Sequence, residues 1–291
     1  MLRSVETSVL SIAFEEHGPP EGKPVLLMHG FPYSPRSYDR VCPALAERGF
    51  RTIAPYLRGF GPTRFLDPDA MRTAEQGATC EDLLEMIDAL KLDRPIVVGF
   101  DWGGRAACCA AAIAPERLGG LVSCWGYNIL GRPNTAPLAP EWEHQLWYQY
   151  YLHMHRGRMM LEQNRRGFCR YLWTQWSPTW TFDEAEFEAA ADAFDNPDFV
   201  DIVLHFYRWR AGLVSGDPRY QALSLQLEQR PEIAVPTVIL HSDQGISPPM
   251  RPGDREKFTA AYSYVELPGI GHSPPQEAPE AVIEAVMQLA R

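Results

Sequence analysis

Apolar and polar positions fall into blocks along the first 125 residues, and the period of the blocks alternates. Residues 7–16 and 24–30 read as strands, joined by the turn Gly18-Pro19-Pro20-Glu21-Gly22. The second of them, Pro24-Val25-Leu26-Leu27-Met28, is continuously apolar, as an internal strand covered on both faces requires. Tyr38, Val41, Leu45 and Ala46 predict a helix over about residues 35–48, and Arg51-Thr52-Ile53-Ala54 a short strand after it. Ala74, Leu83, Leu84, Ile87 and Leu90 recur at helical spacing over 72–91. The apolar run 94–99 then leads through Phe100-Asp101-Trp102-Gly103-Gly104 into Arg105-Ala106-Ala107-Cys108-Cys109-Ala110-Ala111-Ala112, a good helix former. Leu118 to Cys124 is another buried-type strand. Alternating strand and helix predicts an α/β fold with a mostly parallel sheet flanked by helices.

From Trp125 to about Tyr220 the pattern changes. Six of the eight tryptophans and five of the twelve tyrosines lie between 142 and 209, in stretches that read as helices with no buried-type strand. Near Val235 the earlier pattern returns, with strands at 235–241 and 262–267 and a closing helix over 277–290. The expected organisation is one sheet domain, residues 1–127 and 222–291, interrupted by a helical cap over 128–221. There is no internal repeat and no low-complexity segment.

Composition narrows the setting. The 291 residues are 45% hydrophobic and 22% charged, ordinary for a globular chain with a sizeable core. A net charge of −10 disfavours nucleic acid and anionic membrane as partners. Six cysteines (42, 80, 108, 109, 124, 169) lack metal-ligand spacing and read as free thiols of a reducing compartment. No apolar run approaches about 18 residues, and the first residues lack the apolar core of a signal peptide. The expectation is a cytoplasmic protein, monomer or homodimer, with a small-molecule substrate and with no cofactor and no metal.

The chemistry centres on residues 98–105. Gly99 and Gly103 flank Asp101 in a strand-turn-helix setting, the pattern of a nucleophile elbow with an aspartate at its tip. A serine attacking a saturated carbon would leave a stable ether on the enzyme. A carboxylate attacking the same carbon leaves an ester, which water can hydrolyse at the protein's own carbonyl. An aspartate nucleophile therefore points to an electrophilic sp³ carbon, chiefly that of an epoxide or an alkyl halide.

The ordered landmarks, His29-Gly30-Phe31-Pro32, Asp101-Trp102-Gly103-Gly104, the helical cap, and Gly271-His272 before the last helix, resemble the α/β-hydrolase fold. Within it they resemble the branch of epoxide hydrolases and haloalkane dehalogenases. The resemblance implies an oxyanion hole from the N–H groups of Phe31 and Trp102, with His29 and Pro32 of the same motif beside the substrate. It implies His272 as the base that activates water, since an imidazole titrates near neutrality. The family's orienting acid follows the strand ending at His241, often as Gly-x-x-Asp; here that position falls on Gly245, and Asp243 is the carboxylate in the segment.

The leaving group separates the two activities. An epoxide oxygen leaves as an alkoxide and needs a proton, for which tyrosine is a suitable acid. Tyr148-Gln149-Tyr150-Tyr151-Leu152 is similar to the epoxide hydrolase Tyr-x-x-Tyr-Phe and implies Tyr148; His205-Phe206-Tyr207-Arg208 is similar to its Asn-Trp-Tyr-Arg and implies Tyr207. Phe31 stands where dehalogenases often carry an asparagine, which also favours the epoxide. Arg105 matches one of two arginines by which haloacetate dehalogenases hold a carboxylate; it binds an acidic substituent or pairs with a neighbouring carboxylate. The expected function is opening of an epoxide to a diol through an aspartyl ester. The rivals are a dehalogenase using the same Asp101 and Trp102, and a non-catalytic ligand-binding protein on the same scaffold.

Overall fold

A computed structural model describes residues 2–131, 137–246 and 250–291. Its sheet has nine strands: β1 (Leu2–Glu6), β2 (Leu10–His17), β3 (Lys23–Met28), β4 (Phe50–Pro55), β5 (Arg64–Phe65), β6 (Ile96–Gly99), β7 (Gly120–Cys124), β8 (Thr237–Ser242) and β9 (Tyr262–Leu267). They run in the order β1-β2-β4-β3-β6-β7-β8-β9, with β5 beside β2. Every pairing from β4 to β9 is parallel, and the antiparallel pairings all involve β2. The apolar runs read from the sequence are the central strands: β6 and β7 are buried along their whole length.

The helices are α1 (Val41–Ala46), α2 (Gln76–Ala89), α3 (Asp101–Ile113), α4 (Pro140–Gln145), α5 (Trp147–His153), α6 (His155–Trp176), α7 (Glu184–Ala191), α8 (Phe199–Arg210), α9 (Gln221–Glu228), α10 (Pro274–Glu277) and α11 (Pro279–Ala290). The family-sized helix expected over 35–48 is instead a 3₁₀ turn, Pro35–Tyr38, followed by α1. Starting afresh at Val41 puts Pro43 in the first turn, where its missing N–H costs nothing. The closing helix expected over 277–290 is α11, beginning two residues later because Ala278 before Pro279 takes φ −140°, ψ 58° rather than helical values. The sequence reading had no strand at 2–6; β1 is a short, mostly exposed edge strand, without the apolar run that announces a central one.

Register places the site. Met28, Gly99 and Ser123 lie side by side at the ends of β3, β6 and β7. The chain leaving each strand, through His29-Gly30-Phe31, Phe100-Asp101-Trp102 and Trp125-Gly126, therefore emerges on one edge of the sheet. This is where open parallel sheets present their ligand crevice.

Between β7 and β8 the described chain is helical, α4 to α9, and it is tied down over that edge. Trp173 donates its indole N–H to Pro32 O at 2.9 Å, and Asn196 donates to Gly61 O and Thr63 O at 3.0 and 2.8 Å. Arg58 is fully buried against Asp82, bonded at 2.7 and 2.6 Å, and reaches Tyr220 OH at 3.3 Å. Thus the glycine-rich turn at 58–63 anchors the insert, and the loop at 195–198 is the insert's side of that anchor. All six cysteines are free and buried. Among the described residues no helix is long and apolar enough to cross a membrane.

Candidate active site

The elbow is built by close backbone approach. Phe100 is extended, and Asp101 opens α3 with φ +50°, a left-handed conformation that non-glycine residues adopt at a cost of about 1–3 kcal/mol. A Cβ on Gly103 would sit 2.1 Å from Met28 O, and one on Gly30 would sit 2.3 Å from Asp101 Cβ. Only glycine fits either position, and the pair lets the elbow press against the end of β3.

The side chain of Asp101 is nearly buried and its two oxygens have different surroundings. Oδ1 accepts the Phe31 N–H at 2.8 Å, and the Trp102 N–H also bonds the carboxylate. Oδ2 faces His272 Nε2 at 3.7 Å. Burial raises the carboxyl pKa; the Arg105 cation and the two N–H donors oppose that rise. The two N–H groups expected as oxyanion donors thus both bond the Asp101 carboxylate.

His272 is buried at 3% exposure, with its imidazole stacked on Trp125 (centroids 4.3 Å apart, planes at 24°) and met edge-on by Trp176 at 4.5 Å. Burial lowers its pKa to about 3, so the ring is neutral and able to accept a proton. Among the described residues neither ring nitrogen has a hydrogen-bond partner. Its backbone, by contrast, is clamped. Glu277 accepts the N–H groups of Gly271 (2.7 Å) and Ser273 (2.9 Å), while Ser177 Oγ accepts the His272 N–H (2.9 Å) and donates to Glu277 (2.7 Å).

Tyr148 and Tyr207 come together from α5 and α8, both buried, with ring centroids 5.4 Å apart. Tyr207 packs edge-on against Phe31 at 5.6 Å, and Tyr148 against Trp176 at 4.9 Å. Burial raises both phenol pKa values, and the Asp101 charge raises them further, which places both phenols within electrostatic reach of the nucleophile. Arg105 extends from α3 one turn past Asp101, donates to Asn128 O at 3.1 Å, and leaves its Nε without a partner. Its pKa falls to about 10, chiefly by burial and then by the nearby Arg210 cation. The neighbouring carboxylate that the sequence left unnamed for Arg105 is Asp101 itself, through charge rather than a bond.

Three expected residues sit differently. His29 is fully buried; Nδ1 bonds Gly30 O at 2.8 Å and Nε2 accepts the Leu57 N–H at 3.1 Å. With both nitrogens bound to backbone, it shapes the oxyanion loop and has no group left for substrate. Pro32 is buried and gives its carbonyl to Trp173, so it seats the insert. Asp243 is exposed and accepts from Gly269 N at 2.7 Å and Gln244 Nε2 at 3.2 Å; nothing brings it to His272. The early arrival of Asp243 in its loop, noted from the motif spacing, has this consequence. Trp125, Trp176, Ser177, Glu277 and Arg210 went unnamed, because stacking and backbone clamping leave no spacing signature in a sequence.

A family model described as the alpha/beta hydrolase fold matches residues 23–279. A solved structure of a candidate epoxide hydrolase from Klebsiella pneumoniae subsp. pneumoniae MGH 78578 is 40% identical, covers 99% of this chain and 96% of that one, and superposes with a TM-score of 0.96. An epoxide hydrolase from Caballeronia sordidicola is 35% identical over 113 residues, 39% of this chain and 33% of that protein. Epoxide hydrolase B from Mycobacterium tuberculosis is 30% identical over 163 residues, 51% of this chain and 45% of that protein. The matches span less than half the length of these two curated relatives.

Proposed function

The chain belongs to the epoxide hydrolase family of the α/β-hydrolase fold, and on that premise we propose that it opens epoxides to vicinal diols through an ester on Asp101. In this reading residues 1–127 and 222–291 are the catalytic core and 128–221 its lid. Asp101 Oδ2 attacks an epoxide carbon, the carbon–oxygen bond breaks, and the departing oxygen takes a proton from Tyr207 or Tyr148. Asp101 Oδ1, held by the Phe31 N–H, becomes the ester carbonyl oxygen.

In the second half-reaction His272 takes a proton from water as the water oxygen adds to the ester carbonyl. The negative charge then falls on Oδ1, where the Phe31 N–H already stands and the Trp102 N–H bonds the same carboxylate. The adduct collapses by releasing the diol oxygen, which takes the proton from the imidazolium. The Asp101 carboxylic acid returns its proton to the tyrosinate, so water and epoxide are the only species consumed. We assign Asp243 no step, since its carboxylate is engaged with Gly269.

The observation that carries this reading is the paired tyrosines beside a nearly buried aspartate, one of whose oxygens the Phe31 N–H already holds. Intact mass spectrometry tests it. His272→Gln mixed with styrene oxide should gain the mass of one substrate and hold it, and Asp101→Asn should gain nothing and form no diol. Multiple turnover by both variants would sink the scheme.

One observation favours a second reading. Trp102 Nε1 is buried beside the nucleophile without an acceptor, a donor suited to solvating a leaving halide. Halide release from haloalkanes or haloacetates, with no diol from matched epoxides, would establish a dehalogenase on the same Asp101.

A further inference from the structure

A catalytic histidine normally owes its orientation to an acid on Nδ1. Here that nitrogen is buried and unpartnered. The positions outside the described residues, 1, 132–136 and 247–249, contain no Asp or Glu, so the acid is not hidden there. The carboxylates near His272 are otherwise committed. Asp101 lies on the Nε2 side at 3.7 Å, Glu277 is bonded to the backbone of Gly271 and Ser273, and Asp243 is bonded to Gly269. The aromatic rings that contact its imidazole among the described residues are those of Trp125, Trp176, Tyr33 and Phe100. Tyr33 is the titratable one, and burial raises its phenol far above the ordinary value.

Trp125 is built as a rigid surface. It takes φ +73°, an outlier for a bulky residue, and is followed by Gly126 at φ +112°. Its N–H donates to Leu240 O at 2.8 Å. Ser123 Oγ donates to Gly126 O at 2.7 Å, and Asn128 Nδ2 donates to Ser123 Oγ and Cys124 O at 2.9 and 2.8 Å. Strain of this kind persists only where the surroundings over-determine it, and it gathers at functional positions. The turn is fixed at both sides and the indole face meets the imidazole almost flat.

We propose that Trp125 is the positioning residue of His272: its indole plane, with the edge of Trp176, fixes the imidazole where an acid would otherwise do so. The inference rests on the proposed function for the step it serves. An indole face also stabilises the imidazolium formed when water is deprotonated, through its quadrupole, and it leaves the neutral imidazole without the basicity that a carboxylate confers.

Nuclear magnetic resonance of the resting protein tests the placement without any substrate, with His272 assigned by its absence from His272→Gln. The imidazole protons of His272 should be shifted upfield by the indole ring current, and Trp125→Leu should abolish that shift. Trp125→Phe, which keeps an aromatic face, should retain part of it and guards against misfolding. Asp243→Asn should leave shift and titration unchanged. A strongly deshielded Nδ1 proton that disappears in Asp243→Asn, or an unaltered His272 in Trp125→Leu, overturns the proposal. In single turnover with styrene oxide, ester formation should stay within about twofold in Trp125→Leu while ester hydrolysis slows about 100-fold, the scale of an approximately 1 Å misplacement. Equal slowing of both steps, or hydrolysis unslowed, also overturns it. If the wild type forms no ester, the functional reading fails and the resonance data still decide the role of Trp125.

Discussion

Phe31 donates its backbone N–H to Asp101 Oδ1 at 2.8 Å, so the proposed nucleophile already meets a donor that its proposed ester would use later. The arrangement has a cost. In the proposed scheme the same N–H groups that prepare ester hydrolysis withdraw charge from the carboxylate during attack. Separate oxygens relieve the conflict: Oδ1 is held, and Oδ2 faces the base and the site interior.

Burial raises the Asp101 carboxyl pKa, and the charge that opposes this rise most is that of Arg105. Arg105→Gln should therefore raise the carboxyl pKa, and the nucleophile must be ionised to attack. The acid limb of the alkylation rate should move to higher pH by about one unit, the lower end of the effect of an opposite charge nearby. The rate on the plateau should change less. Stopped-flow alkylation between pH 4 and 8 measures both; an unmoved limb would show that Arg105 acts elsewhere.

Tyr148 and Tyr207 interact with each other as well as with the nucleophile, so neither alone should be indispensable. Tyr207→Phe and Tyr148→Phe should each slow epoxide opening by about tenfold. The double variant should lose about 100-fold or more, within the range of a positioned general acid. Hydrolysis of the preformed ester should be far less affected. Because both phenols titrate above the ordinary tyrosine value of about 10, the wild-type alkylation rate should show no alkaline fall below about pH 9. An opening rate unchanged in the double variant would remove the tyrosines from the mechanism.

The elements that read clearly in the sequence were those with a local cause. The continuous apolar runs marked β3, β6 and β7, and Gly30, Gly99 and Gly103 marked the elbow because no other residue fits those approaches. Asp101, Phe31, Tyr148 and Tyr207 are indeed gathered at one strand edge. The motif could not reveal that His29 and Pro32 spend their polar groups on Leu57 and Trp173, because both contacts join distant segments. Nor could it reveal the seat of His272. Trp125 and Ser177 reach it from 147 and 95 residues away, and stacking depends on ring planes that only the packed insert defines.

Ser177 links the insert to the base. Its hydroxyl accepts the His272 N–H and donates to Glu277, which holds the flanking N–H groups. Ser177→Ala should leave the buried His272 N–H unpaired and lower stability by about 1–2 kcal/mol, the cost of an unmade buried bond. Ester hydrolysis should slow about tenfold while alkylation holds, since only the base is displaced. Ser177→Thr, which keeps the hydroxyl, should restore most of the rate. Denaturant melts and quench-flow mass spectrometry separate the two effects; equal loss in both half-reactions would make Ser177 merely structural.

Two neutral, buried histidines should make the fold sensitive to mild acid. Burial lowers His29 to about 4 and His272 to about 3, whereas an unfolded chain protonates both near 6.5. Between those values the unfolded state binds more protons than the folded one, so stability falls as pH drops below about 6.5. From pH 7 to pH 5 the loss is about 2 kcal/mol for each such histidine. His272→Gln removes one of them and leaves His29 in place. Its unfolding free energy should therefore fall by about 2 kcal/mol less than that of the wild type over the same interval. Urea titrations at pH 7 and pH 5 measure the difference, and parallel losses in the two proteins would show that His272 is already protonated or solvated in the folded state.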